Sequence, residues 1–127
     1  MPDNINLSGD FRGAVINIKS TLTNVQQSVG TMATEDPEAR KELEKLIGQL
    51  SESLQKVPEE HKEDAQAVAD FTQSLVESAK VEKPNKTTLQ ITGEGLKKAA
   101  QNLAEVLPAV IPIATQIVAA VMKIAAP

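Results

Sequence analysis

The last third of the chain carries its most continuous hydrophobic pattern. Apolar or small residues recur there at alternating steps of four and three, which is the spacing of a heptad seam on an α-helix. Beyond Leu107 the flanking positions are apolar as well, and only Ala109, Thr115, Gln116 and Lys123 leave a narrow, weakly polar strip. A helix that is hydrophobic nearly all round is buried on several sides or lies in lipid. The seam consists of Leu89, Gly93, Leu96, Ala100, Leu103, Leu107, Val110, Ala114, Ile117, Val121 and Ile124.

Two pairs of residues disturb this C-terminal helix. Gly93 and Gly95 each cost a helix about 1 kcal/mol relative to alanine. Pro108 and Pro112 each remove a backbone donor and crowd the preceding turn. We therefore predict one long helix over residues 86–125 that is kinked or briefly broken near the prolines.

The middle of the chain predicts two amphipathic helices, over residues 36–57 and 58–81. Asp36 is a good N-cap for the first, and Pro37 suits its first helical position. Each helix has a single apolar face, so the two are expected to form an antiparallel helical hairpin. The inward residues are Ala39, Leu43, Leu46, Ile47, Leu50, Leu54 and Val57 in the first helix, and Ala65, Val68, Phe71, Thr72, Leu75 and Ala79 in the second.

The first thirty residues alternate between apolar and polar positions over two short runs. Period-two alternation of β-branched residues is typical of strands, so we predict a short β-hairpin or paired-strand element, with strand pairing through Ile5, Leu7, Ile16 and Ile18. Leu22, Val25 and Val29 also fit a helical turn, which leaves the end of the second strand open. The predicted fold is therefore mainly α, with a β-rich element over residues 1–30 and a helical region over residues 31–127.

Composition removes several classes of function. The 127 residues include no cysteine, no tryptophan, no tyrosine and two phenylalanines, which excludes disulfides, thiolate chemistry and aromatic platforms for nucleic-acid bases. A net charge of −4 without clustered lysine or arginine argues against binding of nucleic acid. His61 is the only histidine, and no nucleophile–base pair, metal cluster or cofactor loop is recognisable. We expect a non-enzymatic protein without cofactor or metal, located in the cytoplasm because residues 1–6 lack a secretory-signal pattern.

The apolar C-terminal helix predicts self-association. A monomer of three helices cannot cover all of the apolar surface of the C-terminal helix. Symmetric homo-oligomers commonly bury apolar patches of this kind. We expect a scaffold or adaptor module whose C-terminal helix forms the core of an oligomer, with an apolar channel for lipid-like molecules as a further possibility. The expected interface residues are Leu103, Leu107, Val110, Ile113, Ala114, Ile117, Val118, Val121 and Ile124.

The alternative is a membrane-active protein, such as a small pore-former, that inserts residues 107–126. About twenty apolar residues are enough to span a bilayer. Many of these are alanine, however, and Gln116 and Lys123 lie within the segment. The heptad phase shared with the amphipathic part of the helix favours packing against protein.

Two stretches resemble segments of small uncharacterised bacterial proteins. The first contains GDFRG (residues 9–13) followed by NIKSTL (residues 17–22), and the second contains KPN (residues 83–85) followed by LQITGEGL (residues 89–96). Proteins of this kind are common in cyanobacteria and other filamentous or multicellular bacteria, and some are fused to signalling or effector modules. The resemblance implies a bacterial accessory or assembly module and brings no known activity or binding residues with it.

Overall fold

Five α-helices form the fold of the described part of the chain. The structure, a computed structural model, describes residues 7–32, 36–81 and 83–125, with side chains from Asn17 onward. The predicted mainly α fold is confirmed. The helices are α1 (Leu7–Gly30), α2 (Pro37–Leu54), α3 (Lys62–Ala79), α4 (Lys86–Gln101) and α5 (Val110–Ala125), and a single 3-10 turn, Glu59–His61, precedes α3.

The helices pack around one hydrophobic core in an order that differs from their order in the sequence. α1 packs against α2 and α3, α4 packs against α3 and α5, and α5 packs against α2. The helices therefore form a ring in the order α1, α2, α5, α4, α3, and α5 also contacts α3 across the core. Buried residues from all five helices belong to a single cluster.

The predicted hairpin of the two middle helices is wrong, because α2 and α3 make no extensive contact with each other. Each instead buries its apolar face against other helices, and both α1 and α5 contact each of them. The apolar stripe of α2 is wide enough to pack against two helices, since adjacent positions Leu46 and Ile47 are both buried.

The predicted N-terminal β-element is also wrong within the described residues. Leu7, Ile16 and Ile18 lie in α1, and Ile5 lies outside the described residues. Ile18 belongs to a buried line at steps of four and three, the period of a helix face, and this line continues to the end of α1. The period-two alternation that predicts a strand covers only a few residues. The helical pattern includes some of the same residues and is longer. The buried line is Ile18, Leu22, Val25 and Val29.

The start of α2 and its apolar face agree with the sequence-based prediction. The Asp36 side chain accepts a hydrogen bond from the backbone N–H of Ala39 at 3.0 Å, and Pro37 is the first helical residue. All seven residues predicted to face inward from this segment are buried. α3 begins at Lys62 because Pro58 and the 3-10 turn come first. Of its predicted inward residues only Phe71 is outside the core, at 38% exposed.

The predicted long C-terminal helix is two helices that pack against each other. α4 begins at the Asn85 cap, whose side chain accepts from the N–H of Thr88, and runs through both glycines to Gln101. Turns occupy residues 102–109, and α5 follows. Pro108 opposes continuation of the helix through residues 104–107, because it supplies no backbone donor to the carbonyl of Ala104 and disfavours helical geometry at Leu107.

The two glycines of α4 allow its neighbours to approach closely. A Cβ on Gly95 would lie 2.5 Å from Cε1 of the Phe71 ring on α3. A Cβ on Gly93 would lie 3.0 Å from Cγ1 of Val118 on α5. Both separations are shorter than ordinary van der Waals contact, so glycine at these positions serves helix packing at the expense of helix propensity.

Candidate interaction surface

The side of α5 that faces away from the core is almost uncharged. We call this surface the outer face of α5, and it comprises Pro112, Thr115, Gln116, Ala119 and Lys123, all of which are exposed. Lys123 is the only ionisable residue between positions 106 and 125. The four positions that the sequence predicts as a weakly polar strip, Ala109, Thr115, Gln116 and Lys123, are all exposed.

Half-buried aliphatic side chains border the outer face on both sides. Ile111, Val118 and Met122 lie along one edge, where Val118 contacts Gly93 of α4. Ile113 and Ile124 lie along the other edge. The outer face and its borders thus form a continuous band in which small, weakly polar and aliphatic groups meet water.

The outer face of α5 differs in kind from the exposed side of α2. Exposed positions of α2 are mainly charged, and they include Glu38, Lys41, Glu42, Lys45 and Glu52. Charged side chains are strongly hydrated and oppose close packing, whereas a band of methyl, methylene and small polar groups is easily dehydrated. By chemistry, α5 therefore presents a better surface for association than α2.

The structure divides the nine interface residues that the sequence predicts into two groups. Leu103, Val110, Ala114, Ile117 and Val121 are completely buried in the core of one chain, so a second copy does not reach them while this fold is kept. Leu107, Ile113, Val118 and Ile124 are half-buried. Three of these four border the outer face of α5. Because α5 has few polar residues, the sequence does not show which of its apolar residues face the core of the chain. The two groups are therefore not distinguished by the sequence alone.

Three further hydrophobic side chains are exposed on α3, on α4 and just after α3. Phe71 is 38% exposed and covers Gly95, and Ile91, one helical turn before Gly95, is 68% exposed. Val81 is 54% exposed in the segment after α3. Single exposed apolar residues are common on protein surfaces, and these three are surrounded by charged positions such as Glu94 and Lys80 in sequence. They are weaker candidates for an interface than the band on α5.

A small cleft lies between α1 and α3. It measures about 110 Å³ and is lined by Asn24, Val25, Ser28, Gln73, Val76 and Glu77. Lys80 donates a hydrogen bond from its Nζ to Oγ of Ser28 nearby. Pockets that enclose small organic ligands usually measure about 300 Å³ or more. This cleft therefore suits water or an ion better than an organic molecule.

The single histidine lies at the start of α3. Nδ1 of His61 is 3.5 Å from a carboxylate oxygen of Asp64, one turn later in the chain. No three His, Asp or Glu side chains of the described residues are grouped so that they could hold a metal ion. In the same part of the chain, none of the helices combines the length and the hydrophobicity needed to cross a bilayer.

Comparisons of the chain with protein-family models, with curated proteins and with solved structures found no match. Nothing in those comparisons bears on the resemblance to bacterial accessory proteins, which stays a prediction. The functional inference therefore rests on the surface of the molecule.

Proposed function

We propose that the protein is a non-catalytic helical module that self-associates through the outer face of α5 and acts as a scaffold or adaptor. The observation that supports this proposal is the uncharged band centred on Thr115 and Ala119, bordered by half-buried aliphatic side chains. A band of this kind gains free energy when a second copy covers it, at about 25 cal/mol per Å² of apolar surface.

A symmetric pair of copies is the simplest way to cover the band. The same face on two chains is self-complementary under two-fold symmetry, and two-fold dimers are the commonest oligomers. Ala119 and Pro112 have short side chains, which lets two helices approach closely along the centre of the face. Lys123 lies in the last turn of α5, so its ammonium group can stay in water at the rim.

The test introduces a charge on the outer face without disturbing the core. Thr115→Glu places a carboxylate on an exposed position of α5, and Thr23→Glu makes the same change on an exposed position of α1. We expect the wild type and Thr23→Glu to be multimers by light scattering at micromolar concentration. Thr115→Glu should be a monomer with unchanged circular dichroism, because two facing carboxylates would be dehydrated together.

Equal mass for the Thr115→Glu and Thr23→Glu proteins would rule out the outer face as the contact surface. A charge at Ile117 would not serve the same purpose. Ile117 is completely buried in the single chain, so its replacement by aspartate would unfold the core whether or not the protein associates.

The membrane-active alternative places residues 107–126 in a bilayer. The buried side of α5, which includes Val110 and Ile117, would first have to leave the core of the bundle. Fewer observations support this function than the self-association of an intact bundle. Flotation of the protein with anionic liposomes, together with loss of α5 protection in hydrogen exchange, would favour it over the scaffold proposal.

A further inference from the structure

We propose that α5 exchanges between two copies of the chain, with residues 102–109 as the hinge. In the exchanged dimer, the α5 of each copy occupies the groove that α2, α3 and α4 form in the other copy. This inference goes beyond contact through the outer face of α5 and does not depend on it, because exchange uses the opposite, buried side of the same helix.

The buried side of α5 is well suited to exchange. Its core residues, Val110, Ala114, Ile117 and Val121, are completely buried. A single connection joins α5 to the other described helices. A second copy of the chain has the same side chains and can make the same contacts with α5. Exchange therefore re-forms the same contacts between chains, and the balance between the two forms depends chiefly on the hinge.

The backbone of the hinge is already close to helical. The N–H of Leu107 donates to the carbonyl of Leu103 at 2.7 Å, which is the hydrogen bond of an α-helix. The N–H groups of Ala104 and Val106 donate to carbonyls three residues earlier, as in a 3-10 turn. No described residue has a positive φ. Straightening the hinge into helix therefore needs no residue to leave a left-handed conformation.

The heptad seam keeps its phase across the hinge. Ala100, Leu103, Leu107 and Val110 follow one another at steps of three and four, so a helix that ran straight through would carry one continuous apolar line. In the single chain, Val106 and Leu107 are only half-buried. In the exchanged dimer, two straightened hinges run past each other, and these side chains gain a partner that the closed form lacks.

Pro108 holds the hinge closed. In a continuous helix its missing N–H would leave the carbonyl of Ala104 without a partner, and its ring would crowd that turn. It also biases Leu107 away from helical geometry. Pro112 lies four residues further on, in the first turn of α5, where proline is tolerated, but in a helix that ran straight through the hinge it would be an interior residue as well. Pro58 precedes the 3-10 turn, outside both the hinge and α5, so its surroundings are the same in the closed and exchanged forms and it provides the matched control.

Engineered cysteines report exchange directly, because the chain has none of its own. A Cβ on Gly93 would lie 3.9 Å from Cβ of Val118, within the range of about 3.5–4.5 Å that a disulfide requires. Chains with Gly93→Cys and chains with Val118→Cys, distinguished by a mass tag, are purified separately, mixed, incubated and oxidised. A disulfide between positions 93 and 118 of different chains, identified by peptide mass mapping, forms when α5 has exchanged.

The expected result is a covalent heterodimer whose yield depends on the hinge proline. Pro108→Ala in both chains should raise the exchanged-to-closed ratio by at least about a hundredfold, because each of the two straightened hinges loses a proline cost of about 3 kcal/mol. Pro58→Ala should leave this ratio within about threefold. Any strain from a side chain at position 93 is the same in the two proline variants and cancels from the comparison.

A single chain with both Gly93→Cys and Val118→Cys shows that the cysteines are compatible, because it should form the bond within the chain. If that bond forms and the mixed Pro108→Ala chains give no 93–118 heterodimer, the proposal is overturned. Equal yields for the two proline variants would overturn the role of the hinge. The heterodimer should persist in chains that carry both Thr115→Glu and Pro108→Ala, so failure of the outer-face contact and failure of exchange are separate results.

Discussion

At position 95, α3 and α4 approach each other across a residue that has no side chain. Glycine lowers the stability of a helix interior by about 1 kcal/mol relative to alanine, yet α4 runs unbroken through Gly95. The Phe71 ring occupies the space that a Cβ would fill. Packing of α4 against the Phe71 ring therefore favours glycine over alanine at position 95.

A double-mutant cycle between Gly95 and Phe71 tests this explanation. In the wild-type background, Gly95→Ala should lower the free energy of unfolding by about 1 kcal/mol, because the methyl group displaces the ring. In a Phe71→Ala background, the same substitution should raise it by about 1 kcal/mol, because only helix propensity remains. Urea denaturation measures all four proteins, and the same sign of change in both backgrounds would show that the ring is not responsible.

Thr72 is the one buried polar residue of the described core, and it illustrates how a single polar atom is accommodated. Its Oγ1 donates to the carbonyl of Val68 one turn earlier, at 2.8 Å. The hydroxyl is thereby satisfied within its own helix, and the methyl group is free to pack. The sequence predicts this inward position, since Thr72 falls on the apolar face of the second middle helix.

At the scale of the element, local signals predict α2 well. Its N-cap, the proline that follows and the six inward positions within the helix all agree with the structure. The side chain of Asp36 caps the N-terminus of α2, so the contribution of this cap to the free energy of unfolding can be measured by substitution.

Asp36→Ala should lower the free energy of unfolding by about 0.5–2 kcal/mol, because the N–H of Ala39 loses its acceptor. Asp36→Ser retains a side-chain oxygen at the same position and should cost less than half as much. Thermal or urea denaturation compares the three proteins. Equal losses for serine and alanine would mean that another interaction of Asp36, and not the cap, provides the stability.

Other elements are less evident in the sequence for physical reasons. The alternation of Ala14, Ile16 and Ile18 indicates a strand over a few residues, but the longer line through Leu22 and Val29 has helical spacing, and helix α1 forms. The single apolar face of each middle helix predicts that α2 pairs with α3. Which helix occupies which groove depends on three-dimensional packing, and periodicity contains no information about it.

The candidate surface is only partly evident from the sequence. Ala109, Thr115, Gln116 and Lys123 mark the water-facing side of α5 correctly. The expected oligomer core around Ile117 and Val121 is instead the core of the single chain. The described residues form five helices, whereas the sequence-based prediction has three. The two additional helices provide enough surface to bury that side of α5.

For the molecule as a whole, the same helix has two different roles. The inner side of α5 helps to close the ring of helices, and its outer face carries a single ionisable side chain, that of Lys123. The proposed functions follow from this division. Rigid bundles associate through the outer face, and exchange of α5 links bundles through the inner side.

Charge has little part in the proposed outer-face contact. The chain has a net charge of −4, but Lys123 is the only ionisable group on the outer face. Added salt screens the mutual repulsion of the acidic bundles and does not weaken the burial of apolar surface. Association should therefore persist, or strengthen slightly, as ionic strength increases.

Sedimentation equilibrium of the unmodified protein, over a range of concentrations and at low and high salt, measures directly whether the bundles self-associate. We expect a mass that rises with concentration to a multiple of the single-chain mass, with no loss of association at high salt. A folded protein that keeps the mass of one chain at every concentration and both salt levels would contradict this expectation.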